Sequence, residues 1–230
     1  MERVNIVFLH GGPGFSNYLE PFFKNIDPSV NAIFYDQLKG EAVSIDGLVD
    51  QLDSYINSLE GLKYIVGHSW GATLGLEYMT RFEEKISGLV LMSSGLNFNH
   101  WKIEFDLEKE RRGLTSAPPE MIFLAEDERA DWSDFLDGMW DTFSEETFHS
   151  LYDGYISSHD LTDKFSKLKL PILSISGSED VRFCPRIAKT LVNYNPKVEL
   201  FEVIRAGHFP FLLDSHRKIV IDKILNYTKK

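Results

Sequence analysis

Three short strings, far apart in the chain, carry residue types that can make and break acyl bonds. The first is Gly67-His68-Ser69-Trp70-Gly71, set between the apolar run Tyr64–Val66 and a helical pattern that starts near Ala72. This is G-x-S-x-G in a strand–turn–helix context, where a sharp turn thrusts the serine hydroxyl above the end of a sheet. Glycine on either side of the serine avoids side-chain clashes in the crowded turn. The helix that follows turns its partial positive end toward the same spot. A serine is a weak nucleophile until a base takes its proton and an acid orients that base.

Both helpers appear later. Gly177-Ser178-Glu179-Asp180 follows the apolar run Ile172–Ile175, and Ala206-Gly207-His208-Phe209-Pro210 follows Val198–Ile204. Ligands of open parallel sheets bind outside the carboxyl ends of the strands, so Ser69, Asp180 and His208 are expected to converge there. Glu179 stands beside Asp180, and either carboxylate could orient the ring. His100, His149, His159 and His216 are read as surface or packing residues, and His10 and His68 as supports of their loops. A third string, His10-Gly11-Gly12-Pro13-Gly14, follows the first apolar run. A developing oxyanion needs two preorganised N–H donors, and the backbone amides of Gly12 and Trp70 are the candidates. The spacing fits neither phosphate-binding pattern, G-x-x-x-x-G-K-[ST] or G-x-G-x-x-G.

Six apolar runs that end at these turns read as strands: Arg3–Leu9, Ala32–Tyr35, Tyr64–Val66, Leu89–Met92, Ile172–Ile175 and Val198–Ile204. Continuous rather than alternating runs mark strands buried on both faces. Between them lie helical periodicities, as in Ile45, Leu48, Val49, Leu52, Tyr55, Ile56 and Leu59, and in Thr73–Phe82, Arg186–Val192 and Phe211–Tyr227. This alternation predicts an α/β fold: a mostly parallel six-stranded sheet with helices on both faces. Charge divides the chain further. Of the 230 residues, 35 are Asp or Glu and 24 Lys or Arg, a net charge of −11. Residues 1–96 carry −6 and residues 166–230 carry +6, so the whole excess sits in 97–165, with Trp101, Trp132 and Trp140. That shift predicts a core of 1–96 and 166–230 and an inserted, acidic, aromatic-rich helical module of 97–165 after the fourth strand.

The acidic balance argues against a nucleic-acid partner, which needs a basic footprint. The apolar runs fall far short of the ~18 residues that span a bilayer. One cysteine builds neither a disulfide framework nor a thiolate metal site, and no H-E-x-x-H or calcium-loop pattern occurs. No metal, organic cofactor, membrane or nucleic acid is expected, and a cytoplasmic location is.

Taken together, the serine–acid–histidine order and the two glycine-rich strings resemble the α/β-hydrolase superfamily, over essentially the whole chain. The pairing of His10–Gly14 with the Gly67–Gly71 elbow containing Trp70 looks most like the proline iminopeptidase branch. The resemblance implies Ser69 as nucleophile, His208 as base and then acid, Asp180 as orienting acid, and 97–165 as a cap over the pocket. Members of that branch use cap carboxylates to hold a free substrate amine, and the acidic cap here fits such a substrate. Two departures stand out. Asp36-Gln37-Leu38-Lys39-Gly40 replaces an Asp-Gln-Arg-Gly-like string, and the cap is short. The expected activity is therefore a serine hydrolase cleaving an ester or amide of a small molecule or short peptide through an acyl-enzyme. The alternatives are an aminopeptidase releasing an N-terminal residue and, in another class, a non-catalytic receptor-like binder. Glu104, Asp106, Trp132, Trp140 and Phe143 are the cap candidates for substrate contact.

Overall fold

A computed structural model describes residues 2–229; Met1 and Lys230, the ends of the two expected core segments, lie outside the described residues. Its elements run β1 (Val4–Leu9), α1 (Glu20–Phe23), β2 (Val30–Phe34), α2 (Ile45–Asn57), β3 (Leu62–His68), α3 (Trp70–Phe82) and β4 (Gly88–Met92). Five helices follow before the next strand: α4 (Phe98–Arg111), α5 (Pro119–Phe123), α6 (Glu126–Trp140), α7 (Glu145–Gly154) and α8 (Thr162–Phe165). The chain closes with β5 (Ile172–Gly177), α9 (Pro185–Tyr194), β6 (Val198–Val203) and α10 (Asp214–Thr228).

The strands form one sheet in the order β2-β1-β3-β4-β5-β6, and all five pairings are parallel. The expected "mostly parallel" sheet is thus wholly parallel among the described residues. Successive residues of a strand point to opposite faces. Val7 and Leu9 of β1, with Ile65, Leu89 and Leu91, pack against α2, α3 and α9 on one face. Ile6 and Phe8, with Val66, Val90 and Met92, pack against Phe23 of α1 and against Val220, Ile224 and Tyr227 of α10 on the other. Central strands bury both faces, which is why β4 reads as an unbroken apolar run. The edge strand β6 alternates instead, with Leu200 and Glu202 exposed and Glu199 half-buried on the other face.

Some boundaries differ from the sequence reading. β2 begins at Val30 and β3 at Leu62, because partly exposed residues at those strand starts lack the unbroken apolar character. Helix α3 begins at Trp70 rather than near Ala72: Gly71, a poor helix former, masks the first turn. Phe211 and Leu212 are buried but precede α10, which starts only at Asp214.

Residues 97–165 hold α4 to α8 and, among the described residues, only one isolated bridge in place of a strand. That bridge joins Asn97 to Asp160, flanked by Phe98 N–H to His159 O (3.1 Å) and Leu161 N–H to Leu96 O (2.9 Å). The helical segment therefore leaves and re-enters the sheet region at one point.

Candidate active site

The end of β3 and the start of α3 leave a single residue, Ser69, to reverse the chain, and it does so at φ 54° and ψ −119°. A non-glycine residue held there stores about 1–3 kcal/mol of backbone strain. The surroundings enforce it. Ser69 N–H donates to Met92 O at 2.8 Å, and Ser69 O accepts from Ala72 N–H (3.0 Å) and Thr73 N–H (3.3 Å). A Cβ on Gly67 would collide with the backbone of Gly71 and Ala72, and one on Gly71 with the carbonyls of Leu9 and His10. The two glycines let strand, turn and helix approach that closely.

Asp180 and His208 meet behind this turn. His208 Nδ1–H donates to Asp180 Oδ2 at 3.1 Å, and both side chains are buried. Asp180 Oδ1 accepts from Phe183 N–H at 2.8 Å. Burial alone would raise the Asp180 pKa; the His208 ring and the Phe183 amide outweigh it and hold the carboxyl below its ordinary value. Asp180, not its neighbour Glu179, is the acid on the ring. Ser69 and His208 line one cavity of about 420 Å³, together with Gly12, Phe123, Trp140 and Phe143. A smaller cavity of about 120 Å³ adjoins it and is lined by Gly12, Ser69, Trp70, Asn97, Trp101 and Arg182 among others. Among the described residues no hydrogen bond joins Ser69 Oγ to the His208 ring; free enzymes often close that contact only around substrate.

Two polar chains hold the loops, and directionality settles their protons. Gly11 N–H donates to Tyr18 Oη (2.8 Å), Tyr18 lies 2.6 Å from His68 Nδ1, and His68 Nε2 lies 2.8 Å from the carbonyl of His208. A carbonyl can only accept, so His68 carries its proton on Nε2 and accepts a hydrogen bond from the Tyr18 hydroxyl at Nδ1. Burial, with the nearby His208, lowers the His68 pKa to about 3, so it stays neutral. On the other side, Trp70 Nε1–H donates to Gln37 Oε1 (2.9 Å), Gln37 Nε2 donates to His10 O (2.8 Å), and Gln37 N–H donates to His10 Nε2 (3.2 Å). Burial lowers His10 to about 4, leaving it able to accept. His10 and His68 thus do support their loops. Tyr18 escapes sequence reasoning, because a tyrosine in a loop carries no spacing signal.

The helical insertion grips the histidine loop directly. Phe123 O accepts from His208 N–H at 2.9 Å, and the Glu128 carboxylate of α6 accepts from Gly207 N–H at 3.3 Å and from Ala125 N–H at 2.8 Å. Burial, reinforced by Asp180 and Glu179, raises Glu128 to about 7 against the two amides. Of the cap candidates, Trp140 and Phe143 line the larger cavity. Trp132 lines a separate hollow against Phe22 that excludes Ser69. Glu104 is turned out to Arg186 (2.8 Å) and Asp106 to Lys102 (3.0 Å) and Lys109 (3.1 Å), so neither faces the Ser69 cavities. The reason is helix phase: Glu104 and Glu108 share the stripe of α4 that meets Arg186 of α9.

Among the described residues no group of three His, Cys, Asp or Glu side chains is placed to hold a metal ion, and no helix is long and apolar enough to cross a membrane. Residues 6–222 match the alpha/beta hydrolase family. A proline iminopeptidase of Lactobacillus crispatus (strain ST1) is 28% identical, with 92% of this chain and 86% of that protein covered. Among solved structures, a thermophilic esterase from Thermogutta terrifontis superposes with a TM-score of 0.78 at 16% identity, over 99% of this chain and 91% of that one. A proline iminopeptidase from Mycobacterium smegmatis superposes at 0.68 and 18% identity, over 98% and 90%. The chain belongs to the alpha/beta hydrolase family, as a hydrolase similar to proline iminopeptidases.

Proposed function

We propose that this chain is a serine hydrolase that cleaves an ester or amide of a small molecule or short peptide through an acyl-enzyme. The observation that carries the reading is the buried Asp180–His208 hydrogen bond opening on the same cavity as the strained turn at Ser69. With Nδ1–H committed to Asp180, the His208 Nε2 lone pair is the base. It takes the Ser69 proton as Oγ attacks the substrate carbonyl. The amides of Gly12 and Trp70 receive the oxyanion; Trp70, first residue of α3, carries one of the helix's free N–H groups, and Gly12 lines the cavity beside Ser69. His208 then protonates the leaving group, and a water activated by the same nitrogen releases the acid. Residues 97–165 act as a cap, with Trp140 and Phe143 supplying apolar wall.

The test is covalent. A fluorophosphonate should add to the wild-type chain once, at Ser69, and Ser69→Ala should lose both the adduct and ester turnover while keeping its melting temperature. Full turnover by that variant would overturn the assignment. Labelling without turnover of any ester would favour a receptor-like binder.

The proline iminopeptidase relatives favour a second reading within the same chemistry, release of an N-terminal residue. A free-amine aminoacyl arylamide, its N-blocked form and a short acyl ester, compared side by side, separate the two. Strong preference for the free amine means aminopeptidase; indifference means esterase.

A further inference from the structure

Arg182 is a cation that the mechanism above leaves without a task. It lies in the loop between Asp180 and α9, and its side chain lines both cavities that Ser69 lines. Its guanidinium carbon stands 5.2 Å from the ring centre of Trp101, 5.3 Å from Phe123 and 5.7 Å from Phe105. Its backbone is anchored too, since Trp101 Nε1–H donates to Arg182 O at 2.8 Å. Among the described residues no carboxylate forms an ion pair with it and no oxygen accepts a hydrogen bond from it. The nearby arginines are engaged otherwise: Arg112 with Glu108, and Arg186 with Glu104 and Glu108.

A guanidinium has five N–H donors around its edge, and ring contacts leave that edge free. Burial weakens its hold on the proton while Asp180 strengthens it, and an arginine stays charged through any working pH. A partly desolvated cation without a counter-charge is costly, and an anion entering the cavity would recover that cost. The surrounding charges point the same way. In the smaller cavity His159, whose pKa burial lowers, is neutral, and Arg182 is the one formal charge among the lining residues. At the larger cavity Glu145 is exposed and faces His149 at 3.4 Å. Asp180, the carboxylate next along the chain, is committed to His208 and Phe183 N–H.

We infer that Arg182 is a specificity-determining residue and that the substrate carries a carboxylate, which the guanidinium edge grips while the scissile carbonyl sits at Ser69. The inference rests on the serine-hydrolase reading and sharpens it. It also reverses the polarity suggested by the acidic composition: Glu104, Asp106 and Glu108 are spent in ion pairs, Glu128 is held by backbone amides, Glu145 is exposed, and the one formal charge lining the smaller cavity is a cation.

The experiment compares matched ester pairs on the purified full chain. One pair carries the charge on the acyl side, mono-p-nitrophenyl glutarate against p-nitrophenyl valerate. The other carries it on the leaving group, 4-acetoxybenzoate against its methyl ester. A charge-assisted contact predicts a preference for the anionic member of at least one pair of about 10- to 100-fold in kcat/KM. Arg182→Met should bring that ratio to near one, chiefly through KM, and Arg182→Lys should keep part of it. No preference for either anionic ester in the wild type overturns the inference, whether or not the variants fold. So does a ratio that Arg182→Met leaves unchanged. Those results would stand beside intact Ser69 labelling, whereas loss of labelling and of all ester turnover would sink the serine-hydrolase reading itself.

Discussion

Glu128→Gln should flatten part of the pH dependence of stability. Glu128 is wholly buried at the start of α6, with Asp180 and Glu179 toward it from the sheet side and His216 Nδ1 of α10 at 4.0 Å. His216 is itself held below its ordinary pKa by burial, so it offers no fixed positive charge, and its Nδ1 has no hydrogen-bond partner. Glu128 titrates at about 7 in the fold against 4.5 as a free side chain. An acid with a raised folded-state pKa stabilises the fold in its protonated form, fully below the unfolded value, and loses that contribution as pH climbs through the folded value. At 1.36 kcal/mol per pKa unit the whole effect is about 3 kcal/mol, and about 2.5 kcal/mol of it disappears between about pH 5 and about pH 8.5. Glutamine keeps an acceptor oxygen for Gly207 and Ala125, carries no charge, and brings an N–H toward the orphan His216 nitrogen. Thermal melts of both proteins across this range isolate the site, because titrating groups remote from Glu128 cancel in the difference. The variant's Tm should match the wild type near pH 5 and exceed it by about 5–10 °C near pH 8.5, at about 2–4 °C per kcal/mol for a chain of this size. A Tm difference that does not change with pH, or a variant that is the less stable one at high pH, refutes the reasoning.

Three further outcomes are expected. Asp180→Asn should leave the fold intact and lower kcat by about 10³- to 10⁴-fold in an ester assay, because the ring loses the acceptor that holds its tautomer. Tyr18→Phe strands Gly11 N–H and His68 Nδ1, and urea titration should show a loss of about 2–6 kcal/mol at about 1–3 kcal/mol per unpaired buried group. Gly71→Ala drives a methyl into the Leu9 and His10 carbonyls, and soluble yield or Tm should collapse where a substitution at open Gly138 changes little.

The chemistry-bearing residues were the readable part of this chain. Ser69 and Asp180 follow strands whose ends are buried, which announce themselves as apolar runs, and His208 follows the amphipathic edge strand β6. The residues that support and tune the site were not readable. Tyr18 reaches His68 across 50 positions. Glu128 sits in Glu126-Asp127-Glu128, three acids alike on paper, and only the phase of α6 against the His208 loop selects the third for burial. Glu104 fails as a cavity residue for the same reason in reverse. Arg182 is one basic residue among 24, and its solitude depends on where every nearby carboxylate goes. Periodicity reports which residues are inside; it says nothing of which partners they find there.

The helical insertion is stapled at its base by the Asn97–Asp160 bridge and its two flanking hydrogen bonds. Loop closure costs only about 0.6 kcal/mol more for each doubling of length, so a bypass closed at its neck can be lengthened, shortened or replaced at small thermodynamic expense to the sheet. One obligation travels with any transplant. The native segment lends the histidine loop a carbonyl at Phe123 and a carboxylate at Glu128, and a foreign lid must bring its own two acceptors or leave His208 N–H and Gly207 N–H bare. Chimeras of this scaffold should divide on that criterion, with lid size a secondary matter.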